Sequence, residues 1–218
     1  MKNLPKIALS LIAVGVFAQA NASTITLSTG FSDASAQASA AAYASVVNAA
    51  VAAPGAGYGS TTIASYDNVN NSSLFGSNTN IAFKSVINFG VSATDAGAWS
   101  FRSGVDFGKG GALFLDGVAL DVKSNDMWWA GNYNNASQFL SGSGSLAAGN
   151  HTLTIYGLEG CCDGGQQVQF KAGNNNFASF GANDGLISAV PEPSTYAMLL
   201  IGLGLLGFTA RRKQQAKF

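Results

Sequence analysis

From residue 81 the chain alternates between apolar and polar positions. Ile81, Phe83, Ile87, Phe89 and Val91 fall on one side of an extended backbone and Lys84 and Asn88 on the other, which is the period of two of a half-buried strand. Trp99, Phe101, Val105 and Phe107 repeat it opposite Ser100, Arg102 and Asp106, predicting a second long strand. Residues 112–115 and 118–122 flank Asp116-Gly117, a pair suited to the two-residue turn of a hairpin. Leu153 and Ile155 resume the alternation in residues 151–156, and Val168 and Phe170 continue it after the glycine-rich turn at residues 161–165. Phe177, Phe180, Leu186 and Ile187 predict one last strand, and Thr24-Ile25-Thr26-Leu27 an early one. Short alternating runs between Gly-, Ser- and Asn-rich turns predict a mainly β protein, a single β-sandwich over residues 23–188.

Two stretches break that pattern. Residues 33–53 are dominated by alanine and predict a helical segment near the N-terminus, with Asp33 as N-cap and Pro54-Gly55 as the stop. Residues 123–150 hold Trp128, Trp129, Tyr133 and Ser141-Gly142-Ser143-Gly144 without a sustained period. They read as a long loop, an element that often carries function.

The two ends have a different character. Lys2 and Lys6 precede an apolar run at residues 7–17, and Ala20-Asn21-Ala22 follows it. That order predicts a signal peptide over residues 1–22, passed through the Sec translocon and cut after Ala22 by signal peptidase. The run is well short of the ~20 residues of a spanning helix. At the other end an apolar stretch at residues 196–210 is followed by Arg211, Arg212, Lys213 and Lys217, which hold that side in the cytoplasm. As a helix the stretch reaches ~22 Å against a hydrocarbon core of ~30 Å, so it is a short transmembrane helix and a marginal anchor. Pro191 and Pro193 keep the Glu192 region extended and open to a peptidase.

Pro191-Glu192-Pro193, the short span and the basic cluster resemble a PEP-CTERM sorting signal at residues 189–218. The resemblance implies processing by an exosortase, a transient stay in the inner membrane, and a final place at the cell surface or in the extracellular matrix. Its apolar tail would then be removed, as in lipid-anchor signals.

Without the two ends the charge balance changes. The whole chain is neutral, but the body between Ser23 and Ala189 keeps five basic and ten acidic residues, a net charge of about −5. No basic face is available for a phosphate backbone, so nucleic acid is excluded as a partner. A body of about 165 residues suits one domain with a real core.

Catalytic patterns are absent from the sequence. His151 is the single histidine, no nucleophile-elbow sequence occurs, and Glu159 is the body's one glutamate, so a serine triad is unsupported. A pair of glycosidase carboxylates is a matter of spatial separation that the sequence does not display. The expectation is a non-enzymatic protein.

Cys161 and Cys162 are adjacent, and in an oxidising compartment they can close a vicinal disulfide that stiffens a loop tip. Intermolecular pairing and a soft-metal site are the alternatives, the latter poorly served by two cysteines and one histidine. Trp128, Trp129 and Tyr133 can form a platform for sugar rings. Adjacent residues of a strand face opposite ways, so one tryptophan packs inward; Trp129 and Tyr133 are taken as the pair facing the sugar, with plain packing as the alternative. Asp106, Asp116, Asp121, Asp126 and Asp163 sit at turns and strand ends, where aspartate satisfies backbone N–H groups. Calcium is the sharper alternative for them, although no EF-hand spacing is present.

Gly111-Ala112-Leu113-Phe114-Leu115-Asp116-Gly117, followed by Ala148-Gly149-Asn150-His151, resembles the protective-antigen-type lectin-like β-sandwich. In that family two successive aspartates before the first motif hold a sugar-binding calcium; here the place reads Asp106-Phe107-Gly108, which puts calcium in doubt. Asp106 and Asp116 remain binding candidates on this resemblance. Cys161-Cys162-Asp163-Gly164 is similar to the Cys-Cys-X-Gly signature of a subgroup of PEP-CTERM proteins. The resulting expectation is an exported structural or adhesive protein with weak contact to exopolysaccharide. A secreted carbohydrate-active enzyme and a matrix protein without ligand are the alternatives.

Overall fold

A computed structural model describes residues 23–187 and the pair 202–203. The expected signal peptide with Ala20 and Ala22, and the segment with Pro191, Glu192 and Pro193, lie outside the described residues. No helix among the described residues is long and apolar enough to cross a membrane, and most of the apolar stretch 196–210 is outside them.

Among the described residues twelve strands in chain order form the body: β1 (Thr24–Phe31), β2 (Ser60–Ile63), β3 (Thr79–Val91), β4 (Gly97–Gly104), β5 (Asp106–Phe107), β6 (Gly111–Leu115), β7 (Val118–Lys123), β8 (Met127–Trp128), β9 (Phe139–Leu146), β10 (Gly149–Cys161), β11 (Gln167–Ala172) and β12 (Ala178–Ser179). One sheet has the order β2-β1-β3-β10-β6-β7 and faces a second of order β12-β11-β4-β9, while β5 and β8 form a separate ribbon. All the strand pairs are antiparallel. The two larger sheets enclose the main core, where Trp99 meets Phe170 at 5.6 Å and Phe89 at 5.7 Å between ring centroids.

The β3 pattern works as its alternation predicts. Ile81, Phe83, Ile87, Phe89 and Val91 point into the core. Ser85 interrupts that apolar row and is buried, with its Oγ 2.6 Å from the Tyr66 hydroxyl. The Asp116-Gly117 hairpin also forms: both residues have positive φ, 49° and 80°, which a type I′ turn requires. A register shift between Leu113 and Phe114 puts a bulge in this pair.

Four expectations change. Helix α1 (Ala40–Val51) starts later than residue 33, and its N-cap is Ser39, whose side chain accepts from Ala42 N at 3.2 Å. Ala40, Tyr43 and Val47 form its buried stripe and pack on Ala82, Ala112 and Leu158, on the outer face of the larger sheet. The helix therefore begins where there is a sheet face to cover, not where alanine first becomes abundant. A second, one-turn helix α2 (Asn71–Leu74) has Asn70 as its cap.

The long strand expected from Trp99 through Phe107 is broken at Val105 into β4 and β5, which belong to different sheets. Residues 123–150 are not one loop: they contain β8, a 3₁₀ turn at Ala136–Gln138 and all of β9. Strand β9 escapes hydrophobic patterning because its Ser141, Ser143 and Ser145 face outward while Gly142 sits where a Cβ would lie 2.6 Å from Leu120. Finally, the turn after β10 does not close a hairpin, since β10 lies in the larger sheet and β11 in the smaller.

Candidate functional site

The ribbon builds the site. Asp106 pairs with Trp128 and Phe107 with Met127, and residues directly opposite on antiparallel strands share a face. Phe107 and Met127 are fully buried and anchor the ribbon. Phe107 fits over Gly157, where a Cβ would come within 2.0 Å of its ring. The alternation then puts Asp106 and Trp128 together on the other side. Trp128 is 67 % exposed, against 1 % for Trp99 in the core.

A cleft of about 450 Å³ opens there, lined by Asp106, Lys109, Asp126, Trp128, Cys161 and Cys162 with Glu159 at its base. A neighbouring cleft of about 420 Å³ uses Asp126 and Trp128 again, together with Asn132, Asn135 and Gln138. Trp128 thus stands on the wall between two depressions. Its backbone is fixed by Trp128 N donating to Gln138 Oε1.

Four carboxyl groups converge on this end, with different employment. Both oxygens of Glu159 accept from backbone amides, one from Gly108 N and the other from Cys161 N at 2.7 Å, which ties the loop after β5 to the end of β10. Asp163 Oδ2 accepts from Ser72 N at 2.7 Å. Burial pushes the Asp163 carboxyl upward, the Ser72 and Asn71 hydrogen bonds oppose the shift, and Glu159 adds to it. Asp106 is raised from 3.8 to about 6, first by burial and then by the Glu159 charge, with a Gly164 backbone bond pulling the other way. Asp126 is exposed at the rim. Among the described residues no three His, Cys, Asp or Glu side chains are arranged to hold a metal ion.

Cys161 and Cys162 are disulfide-bonded, exposed, and part of the cleft wall. Cys162 has φ of 73°, and its N–H donates to Asn78 O at 2.9 Å.

The remaining sequence candidates fall elsewhere. Trp129, not Trp128, is the tryptophan that packs: its indole lies over Gly104, where a Cβ would sit 2.5 Å from the ring, and its ring centroid is 5.5 Å from that of Tyr133. Tyr133 is pushed up to about 12, chiefly by burial. Its hydroxyl is 3.2 Å from both Gln167 O and Gln167 Oε1, and Arg102 stacks on its ring at 3.8 Å. Neither Trp129 nor Tyr133 lines the two clefts, whereas Trp128 lines both.

Asp116 does not join Asp106. It holds the hairpin, with Oδ2 2.7 Å from His151 Nδ1 and Oδ1 accepting from Thr152 N at 2.8 Å. Lys109, Glu159 and Gln138 also line the clefts and carry no local sequence signal, because the pairing of distant strands brings them there.

Downstream of the sandwich, residues 189–213 match the PEP-CTERM protein-sorting motif, the span that contains Pro191-Glu192-Pro193 and the basic cluster. The chain carries a PEP-CTERM sorting motif. The PEP-CTERM motif marks an exported protein sorted to the cell surface and implies processing by an exosortase. No match to a curated protein was found.

Among solved structures, the PA14 domain of the MpAFP antifreeze protein aligns with TM-score 0.51 and 11% identity, covering 77% of this chain and 91% of that one. That likeness is one of fold, and it agrees with the protective-antigen-type sandwich expected from the Asp116-Gly117 and Gly149-Asn150-His151 motifs. A PA14 sugar-binding domain from an RTX adhesin aligns at TM-score 0.48 and 10% identity, covering 78% and 99% of the two chains. The Epithelial Adhesin 6 A domain of Candida glabrata, solved with Galβ1-3GlcNAc, aligns at 0.44 and 9% identity, covering 81% and 90%.

Proposed function

We propose that the sandwich is a non-catalytic glycan-contact module, with a structural or adhesive role at the cell surface or in the surrounding exopolysaccharide. The observation that carries this reading is Trp128, two-thirds exposed at 67 % and directly opposite Asp106 at the mouth of a cleft. An indole presents a flat apolar face to the C–H face of a sugar ring. An ionised carboxylate beside it accepts hydroxyl hydrogen bonds of the stronger, charge-assisted kind. Three of the four nearby carboxylates, Glu159, Asp163 and Asp106, accept from backbone amides, an arrangement that suits recognition better than proton transfer.

The export route completes the proposal. The Sec translocon and signal peptidase handle residues 1–22. The apolar stretch 196–210 then holds the chain in the inner membrane until exosortase acts at Pro191-Glu192-Pro193.

The test is a glycan array probed with residues 23–187, which hold both sheets of the sandwich, and with Trp128→Ala. Wild type is expected to be retained by host polysaccharide fragments. The variant should lose roughly tenfold in affinity, the ~1.4 kcal/mol that an aromatic contact can supply, with its melting temperature unchanged. Retention on no glycan would leave a passive matrix protein. Hydrolysis of the polysaccharide that disappears in Asp106→Asn would make the domain an enzyme.

A further inference from the structure

The two ends of the sandwich carry different features. Strands β3 and β10 run side by side in antiparallel register, with Val91 opposite Gly149 at one end and Thr79 opposite Cys161 at the other. Strand β3 is 13 residues long, which at ~3.3 Å per residue separates the two ends by ~40 Å. The cleft belongs to the Thr79 end: Cys161 and Cys162 form part of its wall, and Asn78 O accepts from both Cys162 N and Asp163 N.

Both tethers leave from the opposite end. Thr24, at the start of β1, pairs with Asn88, and Ile187 O accepts from Gly90 N at 2.9 Å. The chain thus enters and leaves the sandwich beside the last few residues of β3. Residues 188–190 alone separate Ile187 from Pro191, and four residue steps reach at most ~14 Å. A peptidase that takes the Pro191-Glu192-Pro193 segment must therefore come close to this end of the domain.

The surface it would meet is small and compact. The turn between β3 and β4 reads Ser92-Ala93-Thr94-Asp95-Ala96, with Ser92 Oγ bonded to Asp95 Oδ2 and Asp95 N to Ser92 Oγ. No long side chain projects from it to hold an enzyme or a bilayer surface away.

We infer that the folded domain meets its membrane-embedded sorting peptidase with the Val91–Ile187 end, so that the cleft at the Thr79–Cys161 end points outward, toward extracellular polysaccharide. The inference rests on the sorting and glycan-contact reading above, but its geometry is tested without any glycan.

Full-length chain carrying Glu192→Ala is purified uncut from its host and reconstituted in phospholipid vesicles with acceptor-labelled headgroups. A donor dye is placed on Ala93→Cys, at the tail-side turn, or on Ser73→Cys, in α2 beside Asp163; Leu74→Cys serves as a second far-side position should Ser73→Cys fail to fold. The paired Cys161 and Cys162 do not react with a maleimide dye. Energy transfer to the lipid is expected to be several-fold stronger from position 93 than from positions 73 or 74. Equal transfer, or the reverse order, overturns the orientation while leaving the sorting reading intact. A Glu192→Ala chain that is still cut in its host, or that fails to associate with vesicles, removes the sorting reading and the orientation with it.

Discussion

Asp106 shows how one residue can be read from its neighbours. Its carboxyl is buried beside Glu159 and raised to about 6, so the folded state holds the proton more tightly than the unfolded chain does. The group costs folding nothing below its ordinary value of 3.8, and stability falls as pH rises from there through 6, above which the full cost of the buried charge is present. Asp106→Asn should accordingly melt higher than wild type at pH 7 to 8, with the gap closing as pH falls below about 4; thermal melts across that range check it. An identical gap at every pH would place the effect outside Asp106 ionisation. The same scale marks a limit of the sequence. Trp128 and Trp129 must diverge, and that much is visible in their adjacency, but which one stays in solvent is decided by Gly104, whose missing Cβ makes the bed for the Trp129 ring. Nothing near Gly104 in the sequence announces that contact.

At the level of elements, the strands that were legible are those with one apolar face toward the core. Strand β3 displays it directly, and so do β6 at Leu113 and Leu115 and β10 at Leu153 and Ile155, whereas β7 leaves Val118 and Val122 exposed. Strand β9 does not display it, because close approach of Leu120 to Gly142 selects glycine where a core residue would otherwise stand. The site suffered for the same reason: the ribbon partners Asp106 and Trp128 are joined by a two-residue ladder too short to leave a period. The segment that follows Trp128 is held by a clasp that charge counting also hides. The Arg102 guanidinium lies between the rings of Tyr133 and Phe177, at 3.8 and 3.9 Å, with Nε donating to Gln169 Oε1 at 2.7 Å. Stacked cation–aromatic contacts of this kind contribute ~0.5–2 kcal/mol each. Arg102→Ala is expected to lower stability by about 1–3 kcal/mol and to raise hydrogen exchange selectively in residues 129–135. Arg102→Lys should recover little of it, since an ammonium cannot stack between two rings as a plane does. A uniform rise in exchange across the sandwich would mean that the clasp is not local.

Across the whole molecule, address and architecture were written in different ways. The order of proline-bearing, apolar and basic segments at the C-terminal end makes the address local and readable, and residues 189–213 carry it as a recognised motif. The sandwich depends instead on pairings such as Thr24 with Asn88 and Val91 with Gly149, which link distant parts of the chain and leave few local traces. Thr24 and Ile187 attach to β3 at Asn88 and Gly90, two residues apart along one strand, or about 7 Å. A short Gly-Ser bridge can join them, and the chain can then be reopened at the exposed 93–96 turn to give a circular permutant. That rearranged domain should fold to the same near- and far-ultraviolet circular dichroism and melt within a few degrees of the parent, whereas a permutant that stays unfolded would show that the order in which the strands are made matters as much as where they finish.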